Sequence, residues 1–275
     1  MRFQKALLVF KKDFREVSRN WQVILPIVVV PFMFAVLLPV VMMLIPNLVD
    51  MPGSSLGGIE ELIKILPSHV KSELIGMTEQ QILAYVMSLY FFAPFFLIIP
   101  LMASSVIASD SFAGEKERKT IEALLATPLS DSELFLGKIL VSFVPSMTVT
   151  VISFTIYSAV VDLLSFAIFD GRLLLPNLAW IMLIFGLAPA IALTSIGLTV
   201  MISARVKGFR EAQQISVILL VPILALIFAQ VTGVLFFGPT VVLTLIALFS
   251  AIDLLIFNIS VKFFGREEIL TKLAS

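Results

Sequence analysis

The chain has 275 residues, 59% of them apolar and only 14% charged, with 19 Lys+Arg balancing 19 Asp+Glu. A soluble domain carries about 25% charged and 45–50% apolar residues, so this chain lacks the polar surface to cover a water-soluble globule. The absence of cysteine and a single histidine exclude a disulfide scaffold and zinc sites built on several His or Cys ligands, and the balanced charge excludes a strongly basic nucleic-acid binder.

Residues 1–20 read as an amphipathic helix. Phe3, Leu7, Phe10, Phe14 and Val17 recur at helical spacing, with Lys5, Lys11, Lys12 and Arg15 on other faces. Such a helix lies in the headgroup plane of a membrane with its apolar stripe down. A short basic leader next to a membrane span accounts for the same residues, and both readings place the segment at the inner surface.

A helix needs about 20 apolar residues to cross about 30 Å of hydrocarbon. Stretches free of Asp, Glu, Lys and Arg run for 30 residues after Arg19, 30 after Glu79, 23 after Lys138, 32 after Arg172 and 41 after Glu211. The last would make a helix about 60 Å long, so it must fold back, and Phe237-Gly238-Pro239 supplies the turn. The expected architecture is therefore all-α and polytopic, with six spans near 21–45, 83–109, 138–161, 178–202, 213–236 and 240–262 in one transmembrane domain. The first apolar stretch is too long for a signal-peptide core and lacks a small-x-small cleavage site, so it reads as a retained span.

Basic residues set the orientation. Sixteen fall in the N-terminal segment, the loops after spans two and four, and the C-terminal tail 263–275 with its flank; only Lys64, Lys71 and Arg172 fall on the other side. Both termini are expected in the cytoplasm of a cell that keeps this protein in its plasma membrane. The outer loop of roughly 46–82 opens with turn-formers and continues with helical patches near 59–66 and 69–75; His69 reads as a solvated loop residue. Thr78-x-x-Gln81 reads as a capping box that starts span two.

The loop 110–137 carries the most pattern. Gly114 is expected to break the preceding helix, after which Ile121, Leu124 and Leu125 form an apolar stripe. Glu115/Lys119 and Arg118/Glu122 are spaced as i,i+4 ion pairs on the polar side. Thr127-Pro128 ends the segment, and Ser130-x-x-Glu133 is a second capping box that launches span three. The product is a short capped helix across the membrane base, read equally well as a docking surface or as an ordinary solvated loop helix.

With Gly114-Glu-Lys-Glu-Arg-Lys-Thr-Ile-Glu-Ala-Leu-Leu-Ala-Thr-Pro-Leu-Ser130, Glu133 and Gly137-Lys138 in view, this loop resembles the first cytoplasmic loop of ATP-binding-cassette exporter permeases of the second type. Ser203-Ala-Arg-Val-Lys-Gly-Phe-Arg-Glu-Ala-Gln-Gln214 is similar to their second loop. The resemblance implies a six-span prokaryotic half-transporter that pairs with a second copy, or with a paralogue, in the bilayer. It also implies a separate cytoplasmic ATPase subunit, which binds ATP and Mg and receives the 115–126 segment as a coupling helix. Glu115, Glu117, Arg118 and Glu122, with Thr120 beside them, are the expected contacts; Arg205, Lys207, Arg210 and Glu211 form a second set. The chain has no P-loop of its own, which excludes ATP hydrolysis by this chain alone, and no cofactor is expected in it.

Inside the spans, Asp253 is the clear ionisable residue, with Asn258 about a turn further on. It reads as an ion or proton site or, preferentially, as an anchor bonded to a neighbouring Ser or Thr. Gln230, Ser104 and Ser105 are uncharged candidates for a pathway lining, too few for a hydrophilic path, so an amphiphilic or hydrophobic substrate fits better. Competing functions are an ion-gradient-driven transporter, for which one Asp and no visible repeat are thin support, and a membrane scaffold or sensor that recruits an ATPase. An intramembrane enzyme lacks its nucleophile–base pair or metal motif.

Overall fold

The computed structural model describes residues 3–48, 63–64, 66–120 and 130–263, and all regular structure within them is helical. Helix α1 (Phe3–Val17) precedes the first of six helices long and apolar enough to cross a membrane, α2 (Trp21–Met43). A short α3 (Ser68–Glu73) follows, and then α4 (Glu79–Glu117). The remaining spans are α5 (Asp131–Ser165), α6 (Leu178–Ser203), α7 (Phe209–Val231) and α8 (Pro239–Phe263). Residues 49–62, which hold the turn-rich loop, and residues 121–129, with Ile121, Glu122, Leu124, Leu125 and Thr127-Pro128, lie outside the described residues. So do residues 264–275 and the side chains of Phe3, His69 and Asn258.

Local chemistry starts these helices where the sequence marks it. Thr78 and Ser130 each accept from the amide three residues on, and Gln81 and Glu133 reach back to complete both capping boxes. Asn20 and Asn177 cap α2 and α6. α7 ends at Val231, and α8 begins at Pro239, whose missing N–H costs nothing in a first turn. One expectation fails: Gly114 does not break α4. The backbone stays helical there, widens into a π-turn over Asp110–Gly114, and continues to Glu117. The true end is a Schellman closure, in which the Thr120 amide reaches the Glu115 carbonyl and Lys119 takes a left-handed φ of 56°.

α4 and α6 form the centre, with 61% and 56% of their spans buried, while α2 and α8 bury only 17% each. Prolines loosen the spans, and three π-turns precede them: Met33–Leu37 before Pro39, Met87–Phe91 before Pro94 and Leu183–Leu187 before Pro189. The turn in α4 exposes three consecutive carbonyls, and each takes a side-chain donor from a different span. Ser88 O accepts from Tyr157 of α5 at 2.7 Å, Leu89 O from Trp180 Nε1 of α6 at 2.9 Å, and Tyr90 O from Gln230 Nε2 of α7 at 2.6 Å. Hydrocarbon offers these carbonyls no water, so such partners are what permits irregular backbone at this depth. Rings surround the junction: Trp180 stacks on Tyr157 (4.9 Å) and Phe154 (5.5 Å), with Phe96 edge-on at 5.3 Å. Each such pair adds about 0.5–1.5 kcal/mol beyond the area it buries.

α1 packs against the first turns of α5 chiefly through a face beside the expected stripe. Ala6, Val9, Asp13 and Val17 are buried, whereas Leu7 and Phe14 are exposed and Phe10 is half-buried, stacked 5.7 Å from Phe14. The helix has two apolar faces, one against protein and one outward. Gly137 permits the contact: a Cβ there would lie 2.7 Å from Val9 Cβ and 2.8 Å from the Ala6 carbonyl.

Candidate functional site

The segment Asp110–Arg118, at the end of the bundle where the basic residues gather, joins five other parts of the chain. The π-turn turns Asp110 inward, where it is buried, and its Oδ1 accepts from Asn20 Nδ2 at 3.1 Å and from Arg118 Nη1 at 3.0 Å. Arg118 can fold back over the turn because residue 114 has no side chain; a Cβ there would lie 2.8 Å from Asp110 Oδ1. Burial would lower the Arg118 guanidinium, but the hydrogen bond and charge of Asp110 outweigh it and hold the group above its ordinary pKa.

One turn on, Glu115 receives two ammonium groups. Lys138 Nζ of α5 lies 2.6 Å from Oε2, and Lys12 Nζ of α1 lies 2.7 Å from Oε1. Lys138 also donates to the carbonyl of Ser111, stands 3.5 Å from Asp13 Oδ2, and sits 5.2 Å from the centre of the Phe112 ring. Ser111 Oγ donates to Asp13 Oδ2 at 3.2 Å. Burial by itself would depress the Lys12 ammonium, but its bond to Glu115 and the charge of Asp13 hold it above its ordinary value. The oxygens of Asp13, Glu16 and Glu115 come within 4.8 Å of one another, the spacing of a metal site, yet Lys12 already pairs with all three and Lys138 with Asp13 and Glu115. The cluster is built around lysine and is a joint between α1, α4 and α5.

The last turn of α4 also holds the loop between α6 and α7. Lys116 Nζ donates to Val206 O at 3.0 Å, and Glu117 Oε2 accepts from the Phe209 amide at 2.9 Å, capping α7 from another helix. Gly208 leaves room for that carboxylate, since a Cβ there would sit 2.5 Å from Glu117 Oε2.

Of the residues expected to meet an ATPase, Glu117, Arg118 and Thr120 are exposed, as are Arg205, Lys207, Arg210 and Glu211. The Glu117–Phe209 bond places the two sets side by side. Glu115 is corrected: at 1% exposure it is a buried partner of Lys138 and Lys12 rather than a surface contact, and it does not pair with Lys119. Arg118 pairs with Asp110, delivered by the π-turn; the expected partner Glu122 lies outside the described residues. Among the pathway candidates, Ser104 and Ser105 donate to carbonyls of their own helix, at 3.2 and 3.1 Å, and Gln230 serves the α4 junction. Asp253 accepts from Thr194 of α6, the anchoring reading. Sequence reasoning passed over Asp13, Asn20, Asp110, Ser111 and Lys138. The available signal was Lys138 itself, a cation in the second turn of a capped helix facing an apolar run.

Six membrane-length helices tied at one end by charged side chains define a polytopic helical membrane protein. A family model described as "ABC-2 family transporter protein" matches residues 7–261, and the chain belongs to that family. A search of curated proteins finds no match.

Proposed function

We propose that the chain is the permease subunit of an ATP-driven exporter, with its basic end in the cytoplasm and a separate ATPase subunit docked there. The observation that carries the reading is the joining of the two loops by Glu117 and the Phe209 amide, immediately before residues 121–129. A load applied at that point passes through one short segment to α1, α2, α5 and α7. Glu117, Arg118, Thr120, Arg205, Lys207, Arg210 and Glu211 form the exposed docking set, joined by Glu122. The ATPase holds ATP and Mg, and this chain works as a pair with a second copy or a paralogue.

The substrate is amphiphilic or hydrophobic and moves outward. In support, the four polar candidates singled out within the spans, Ser104, Ser105, Gln230 and Asp253, each make a hydrogen bond inside the chain. Asp253 acts as an anchor between α6 and α8.

Co-purification with a P-loop ATPase whose turnover rises on binding the permease tests this reading. Glu117→Lys combined with Glu122→Lys is expected to abolish that rise while the permease keeps its unfolding midpoint. Normal stimulation by the double variant overturns the docking assignment, and transport in vesicles driven by an ion gradient without an ATPase overturns the energy source.

A further inference from the structure

A cavity of about 270 Å³ lies at the basic end, where α2 begins, α4 ends and α7 begins. Its polar lining comes from Asn20, Gln22, Asp110, Glu117, Arg118 and Arg210, with Phe209 beside them. The volume equals about nine waters at ~30 Å³ each, enough for a small ionic group. Part of the lining is already committed to the protein. Asp110 Oδ1 serves Asn20 and Arg118, and Glu117 Oε2 serves the Phe209 amide. The remaining polar groups of the lining are the Gln22 amide, the Arg210 guanidinium, the rest of the Arg118 fork and the second oxygens of Glu117 and Asp110.

The depth of the site says what reaches it. Trp21, the first residue of α2, is 70% exposed, as suits an aromatic at a membrane interface. Below it Leu25, Val28 and Phe32 of α2 are exposed, as are Ile218 and Val221 of α7, while Val23 and Phe209 pack into one cluster that brings the two helices together at this level. An ionic cavity thus opens at headgroup depth above outward-facing apolar flanks, the setting in which pockets between spans take lipid headgroups.

We infer that this cavity binds one phospholipid of the leaflet at the basic end by a phosphoethanolamine headgroup. Its phosphate oxygens accept from Arg210, Arg118 and Gln22, and its ammonium donates to the free oxygen of Glu117. Two guanidinium groups against two carboxylates leave the lining without net charge, which matches a zwitterion. Choline lacks the N–H that Glu117 requires. The site shares Glu117, Arg118 and Arg210 with the proposed docking set, but it rests on the six spans and their interfacial depth rather than on ATP coupling.

The test uses the purified permease without any ATPase, in mixed micelles with phosphatidylethanolamine or phosphatidylcholine of the same chains, and native mass spectrometry to count retained lipid. Wild type is expected to keep one phosphatidylethanolamine per chain and to hold phosphatidylcholine about tenfold less well, the value of one charge-assisted hydrogen bond. Arg210→Ala lowers retention of both lipids about tenfold. Glu117→Gln keeps an oxygen for the Phe209 amide but loses the charge, and erases the preference between the two lipids. Equal retention by wild type, or retention unmoved by Arg210→Ala, overturns the site. So does a Gln22→Cys thiol that phosphatidylethanolamine leaves open to labelling. None of these lipid readings bears on whether ATP turnover is stimulated, so the two proposals fail separately.

Discussion

Lys138 Nζ stands 2.6 Å from Glu115 Oε2, with the two side chains 0% and 1% exposed, at the point where α1, α4 and α5 meet. Removing one member of a buried pair strands the other, at a cost of about 3–5 kcal/mol, whereas replacing both by groups of similar shape costs far less. Lys138→Met leaves Glu115 with Lys12 and is therefore expected to lower the unfolding free energy in detergent by about 3 kcal/mol, the low end of that range, and Glu115→Gln added to it to restore part of the loss. Equal losses in the single and double variants count against the pair as the joint.

Gln230 and Pro94 should be coupled although they lie on different helices. Proline at 94 lacks the N–H that an α-turn aims at the Tyr90 carbonyl, and Gln230 Nε2 supplies the missing donor at 2.6 Å. Gln230→Leu is expected to cost about 1–2 kcal/mol. In a Pro94→Ala background the backbone amide takes over and the cost falls by at least half. A double-mutant cycle on unfolding free energies reads the difference; additivity of the two changes refutes the relationship.

Gly208→Ala probes the tie between the loops. The new methyl falls where Glu117 Oε2 now sits, so the carboxylate swings off the Phe209 amide. The carboxylate is exposed and free to move, so the unfolding midpoint should shift little, by less than about 1 kcal/mol in free energy. In the proposed complex with a separate ATPase, stimulation of turnover should fall several-fold. Full stimulation in this variant shows that the load does not pass through Glu117.

Helices and caps were legible because simple physics sets them. Bilayer thickness fixes how long a charge-free run must be, and an unpaired amide at a helix start demands a side-chain acceptor such as Thr78 or Ser130. The ion joint was not legible, for two reasons. Apolar residues on α1 face both protein and surroundings, so periodicity alone chose the Leu7–Phe14 face over Ala6, Val9 and Asp13. Gly114 looked like a helix breaker, but its role is spatial: it lets Arg118 close over Asp110. Lys138 was visible as one more positive charge in the orientation count and as part of the loop that carries the resemblance, but nothing local in the sequence announces Glu115 or Asp13 as its partner.

The three carbonyls at Ser88, Leu89 and Tyr90 have a consequence for movement. Each fixes the rotation of one helix about its own axis relative to α4, as teeth fix meshed gears, and parting any two of them strands a donor and an acceptor in hydrocarbon. α4, α5, α6 and α7 are therefore expected to travel as a block at that depth. α2, which makes no hydrogen bond to those carbonyls, is the helix against which the block can slide, while Asp253 ties α8 to α6.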